Sequence, residues 1–116
     1  MTLKEFYDAV GGDYSNVMQR LCDEEFALEF LFRFADESLP ERLKHAIDTK
    51  NREEAFTISH TLKGTCVNLG LSDLYASASK LTDALRTTFS PEVPALFDAF
   101  LQDYQRAIQG IRTLQG

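Results

Sequence analysis

From Val93 to Leu114 the residues Val93, Phe97, Phe100, Tyr104, Ala107, Ile111 and Leu114 recur at steps of three and four without interruption. A helix buries a stripe of that period; a strand does not, because its inward positions recur every second residue. The same rhythm runs through the other long segments, and no stretch alternates strictly, so the fold is expected to be all-α. A first amphipathic piece runs from about Thr2 to Val10 and breaks at Gly11-Gly12. Asp13 is placed to cap a short helix through Leu21, and Asp23 to cap the next.

Between Glu24 and Ser38, Phe26, Phe30 and Phe34 recur at every fourth position with Ala27 and Leu31 beside them, which predicts a strongly buried, central helix. Pro40 suits the first turn of a further helix whose core side is Leu43, Ala46 and Ile47. After polar Asp48 to Arg52, the residues Ala55, Ile58, Leu62, Cys66 and Leu69 give the next helix its inner stripe, and Gly70 suits a left-handed end to it. Ser72 then offers a cap for a helix from Asp73 to about Thr88, with Leu74, Ala78, Leu81 and Leu85 inward. Ser90-Pro91 reads as cap and first residue of the last helix. Short connections between the last three long helices make them antiparallel neighbours. The expected architecture is an up-down four-helix bundle with short extra N-terminal helices, a single domain over 1–116 with its core bundle at about 24–114.

Composition removes several classes of function. A formal net charge of -6 and the lack of any basic stretch argue against nucleic acid. The apolar run Phe30 to Phe32 is far too short to span a bilayer, and Met1 to Glu5 lacks the features of a signal peptide, so a cytoplasmic protein with no membrane contact is expected. Cys22 and Cys66 lack the spacing of a zinc or redox motif and read as two reduced thiols, with Cys66 on the core side. Neither a metal-ligand pattern nor a glycine-rich nucleotide loop is present, so no bound metal or cofactor and no ATP-dependent kinase activity is expected.

The chemistry concentrates in Ile58-Ser59-His60-Thr61-Leu62-Lys63-Gly64. His60 lies roughly 160° to 200° around the helix from Ile58 and Leu62, so it faces outward. Lys63 and Gly64, three and four residues on, cover the same patch. A nucleophilic imidazole beside a cation, with a missing side chain above it, is a place for handling phosphate. Glycine in a helix interior costs about 0.5 to 1 kcal/mol relative to alanine. Close approach by another molecule would account for Gly64; so would a packing contact with a neighbouring helix or an early helix end. Phe56 and Val67 share the histidine side, either as an apolar contact strip or under cover of a neighbouring helix. Thr61 and Asn68 flank it with hydrogen-bonding groups. His45 lacks a lysine three residues on and reads as an ordinary surface histidine.

The run His60-x-Leu62-Lys63-Gly64, followed by Leu69-Gly70, Leu74 and Leu81 and preceded by Phe30-Leu31, Phe34, Leu43, Ala46-Ile47 and Ala55, resembles the histidine-containing phosphotransfer (HPt) domain of multistep phosphorelays. The resemblance extends from about Phe26 to Arg86. It implies a phosphocarrier, not an enzyme, in which His60 accepts a phosphoryl group from the phospho-aspartate of a receiver domain and passes it to another receiver aspartate. Lys63 and Gly64 would serve the transfer, and Phe56, Val67, Thr61 and Asn68 would meet the partner. The receiver would supply Mg²⁺. Partners would be response-regulator receiver domains and a hybrid sensor histidine kinase, with the chain itself a monomer. The competing reading is a non-transferring helical adaptor that binds such a partner without carrying phosphate.

Overall fold

Thr2, Asp13 and Asp23 each place a side-chain oxygen on the free amides that open a helix. Thr2 Oγ1 accepts from the Glu5 amide at 3.1 Å while the Glu5 carboxylate accepts from the Thr2 amide at 2.8 Å, a reciprocal pair that starts α1, Leu3–Ala9. Asp13 accepts from the Asn16 amide to start α2, Tyr14–Leu21, and Asp23 from the Glu25 amide to start α3, Glu24–Asp36. The computed structural model describes residues 1–116, and four further helices follow: α4 Leu39–Asp48, α5 Arg52–Asn68, α6 Ser72–Ala84 and α7 Val93–Gln115. No strand is present, so the all-α expectation holds.

Links of three residues, 49–51 and 69–71, turn α4 into α5 and α5 into α6, which forces each pair to run antiparallel. Successive helices from α4 to α7 pack on one another, α3 lies against α7, and α1 and α2 cover one end by contacts to α7 and α3. One cluster of buried apolar side chains fills the interior. It includes Leu43, Ala46 and Ile47 of α4, Ala55, Ile58, Leu62 and Cys66 of α5, Leu74, Ala78 and Leu81 of α6, and Phe97, Phe100, Ala107 and Ile111 of α7. No helix is long and apolar enough to cross a membrane.

Four expectations change. In α3 the buried residues are Ala27, Leu31, Phe34 and Ala35, whereas Phe26 is 53% and Phe30 39% exposed. Positions four apart advance about 400°, so a line through Phe26, Phe30 and Phe34 drifts some 40° per step and only its last member reaches the seam. With contacts to α2 and α7, α3 is a flank of the bundle, not its centre.

Ser72 does not cap α6. The preceding position is Leu71, which makes no side-chain cap, and the Asp73 amide donates instead to the Gly11 carbonyl at 3.1 Å. The same helix stops at Ala84, short of Thr88, and the carbonyls of Leu85 and Arg86 just past its end accept from Arg52 Nη1, both at 2.9 Å. Ser90-Pro91 forms a turn ahead of α7. The Ser90 hydroxyl accepts from the Glu92 amide at 3.2 Å, and it is Pro94 that occupies the first helical turn.

Candidate functional site

Asn51 opens α5 by accepting from the Glu54 amide at 3.2 Å, and the helix then runs unbroken for 17 residues. Ala55, Ile58, Leu62, Cys66 and Leu69 are all buried, as their spacing predicts, and Ser59 is buried with them. That inner stripe turns His60 into solvent. The hydroxyls beside it turn back to the backbone, Ser59 donating to the Phe56 carbonyl and Thr61 to the Thr57 carbonyl, each at 3.0 Å. Neither engages the imidazole. Its ring neighbour is Phe56, one turn earlier, with centroids 5.8 Å apart and planes tilted by 36°.

Gly64 is exposed in the middle of the helix, and a Cβ built on it meets nothing within 4 Å. No neighbouring helix packs there and α5 continues to Asn68, so neither plainer explanation of this glycine applies. What remains is open space one turn beyond the imidazole. Lys63 is half-buried, its Nζ 5.9 Å from the centroid of the Tyr75 ring on α6. Val67 stands 46% exposed, whereas Phe56 is half-buried with the Arg86 guanidinium 5.5 Å from its centroid, so the link after α6 partly covers one of the two apolar residues and leaves the other free.

The C-terminal end of α5 is held by the N-terminal helices. Gly70 adopts φ +66, and the amides of Leu71 and Gly70 return to the carbonyls of Cys66 and Val67 in a left-handed helix end. Tyr7 donates its hydroxyl to the Leu69 carbonyl at 2.6 Å, and Arg20 Nη2 donates to the carbonyls of Val67 and Asn68 at 2.6 and 2.9 Å. A guanidinium there offsets the partial negative charge of the helix terminus. Burial pushes the Tyr7 hydroxyl above its ordinary range and the Cys66 thiol up to about 12, so Cys66 stays protonated and unreactive on the far side from His60.

The predicted site residues thus fall into two groups. Phe56, Lys63 and Gly64 each lie within about one turn of His60 on the outer face, while Val67 and Asn68 stand about 10 to 12 Å from His60 along the axis. Thr61 is exposed beside His60, and Asn68 lines a groove with Arg20, Phe30, Phe34 and Thr65. Tyr75 and Arg86 were not among the expected site residues. Their place depends on how α6 pairs with α5, for which no local pattern provides a signal.

The family model for the Hpt domain matches residues 27–110, most of the chain from early in α3 to late in α7. No curated protein and no solved structure gives a significant match. Helix α1 and helix α2, including Tyr7 and Arg20, lie outside the matched span. With an all-helical bundle, an outward histidine and a match over well more than half its length, the chain belongs to the Hpt domain family, the phosphotransfer histidine carriers of two-component signalling.

Proposed function

We propose that His60 is the phosphoryl carrier and that the chain relays phosphate between two receiver domains. The observation that carries this reading is an exposed imidazole with unobstructed space beside it at Gly64 and a lysine one turn on. A neutral imidazole attacks the phosphorus of a phospho-aspartate with its ring lone pair. The N–P bond forms as the acyl P–O bond breaks, and the aspartate leaves as carboxylate. Return of the group to a second aspartate reverses these bonds. Such a transfer needs alignment and neutralisation of charge on the moving oxygens more than covalent help. Lys63 would supply part of that charge once its ammonium leaves Tyr75. The receiver would hold the Mg²⁺ that screens the rest.

Docking would use Phe56 and Val67 as the apolar strip, with Thr61 and Asn68 at its edge. The donor would be a receiver within or downstream of a hybrid sensor kinase. Incubation with receivers charged by acetyl phosphate and Mg²⁺ tests the reading. Acid-labile, alkali-stable label should appear on the wild-type chain and be absent from His60→Gln. Binding of a charged receiver without label on the wild type would establish the adaptor instead.

A further inference from the structure

We propose that Arg86 is a positioning residue for His60 and that it acts through Phe56. The inference rests on the reading of His60 as carrier. In-line attack requires one ring nitrogen to hold a defined direction, and a histidine is commonly oriented by a hydrogen bond to its other nitrogen. Here Ser59 and Thr61 spend their hydroxyls on backbone carbonyls, and the imidazole is left with an aromatic neighbour in place of a hydrogen bond. Helical side chains lean toward the N-terminus, so the His60 ring lies over the turn that carries Phe56. The orientation of the imidazole then depends on how firmly Phe56 is held.

Phe56 packs against the buried core, and the Arg86 guanidinium sits 5.5 Å from its centroid. Arg86 is itself fixed twice. Its Nη2 pairs with Asp83 Oδ1 at 3.1 Å, and its carbonyl accepts from Arg52 Nη1 at 2.9 Å. Arg52 is the first residue of α5, so the start of the histidine helix ties down the link that follows α6, and that link presents a cation to the ring that braces the histidine. Arg86 is exposed at its tip, which makes its replacement tolerable to the fold.

The test uses the full chain with Arg86→Ala and Arg86→Lys, read by NMR of the histidine ring protons and by single-turnover transfer from a phosphorylated receiver. In Arg86→Ala the cross-relaxation between the Phe56 and His60 rings should weaken and the His60 ring-proton shifts should move toward those of a free histidine, with His45 unchanged as internal control. Transfer at saturating receiver should slow about two- to fivefold, the loss expected from one cation–aromatic contact, with the half-saturating concentration unchanged. Arg86→Lys should restore most of both signals. Unchanged His60 ring shifts in Arg86→Ala overturn the proposal, as does a loss confined to half-saturation, which would make Arg86 a docking contact. The NMR comparison needs no phosphate, so failure of the relay reading itself would show separately, as absence of transfer in the wild type.

Discussion

Lys63 Nζ rests 5.9 Å from the centre of the Tyr75 ring, so the cation that accompanies His60 in sequence is parked on α6. A cation over an aromatic face contributes about 0.5 to 1 kcal/mol at a partly exposed site, little enough for the ammonium to leave when a phosphoryl group offers stronger charge. Lys63→Gln should therefore slow single-turnover transfer roughly tenfold, less than the roughly hundredfold or more typical of one lost charge-stabilising donor, because the partner supplies others. Its unfolding free energy should fall by no more than about 1 kcal/mol. Tyr75→Leu should release the lysine and leave transfer at least as fast as in the wild type.

Gly64 separates stability from function. Its helical backbone accepts any side chain, and a Cβ there meets no atom within 4 Å. Gly64→Ala should raise the unfolding free energy by about 0.5 to 1 kcal/mol. Gly64→Gln should also be folded and at least as stable, yet block the approach of a receiver to His60 and lower transfer more than the alanine variant does. Urea titration and transfer kinetics on the same two variants give both readings; a glutamine variant that transfers normally would remove the reason offered for this glycine.

Tyr7 and Arg20 fasten α1 and α2 to the end of the histidine helix through the carbonyls of Val67, Asn68 and Leu69. Tyr7→Phe leaves a buried carbonyl without its donor and should cost about 1 to 2 kcal/mol in urea unfolding. Arg20→Ala, at an exposed site, should cost about 1 kcal/mol or less. Neither change reaches His60, so transfer should persist. The two helices lie outside the family match, and deleting them should destabilise the end of α5 while leaving the Lys63–Tyr75 pair in place.

Cys66 sets part of the alkaline limit. Burial raises its thiol from an ordinary value of 9.0 to about 12 in the folded chain. Above pH 9 the unfolded chain releases this proton and the folded chain keeps it, so stability is complete below that pH and declines until about pH 12. The slope from this group approaches 1.4 kcal/mol per pH unit. Cys66→Ala should flatten the decline between pH 9 and 12, even though its overall stability is lower because it leaves a cavity. The upward-shifted Tyr7 adds a second contribution of the same sign above pH 10. Denaturant midpoints measured from pH 7 to 11 for wild type, Cys66→Ala and Tyr7→Phe separate the two.

The helices and the outward direction of His60 were legible because both follow from the 3.6-residue period and from caps within four residues of where they act. Asp13 and Asp23 announce α2 and α3 in this way, and the stripe from Ala55 to Leu69 alone places His60, Lys63 and Gly64 on the opposite face. Local chemistry misled where distant groups took over. Ser72 looked like a cap, but the Gly11 carbonyl does that work, and the carbonyls just past the end of α6 are held by Arg52, 33 residues from Leu85.

What the sequence by itself determined is therefore the all-helical class, the inner stripes and the composition of the histidine face, since each depends on neighbours along one helix. The tertiary structure alone decided that Phe26 and Phe30 turn outward, that Gly64 faces open space, and that Tyr75 of α6 and Arg86 of the link after it bracket the site. These depend on the rotation and register with which helices pack. Interlocking side-chain volumes from remote parts of the chain set that packing, and no period within one segment encodes it.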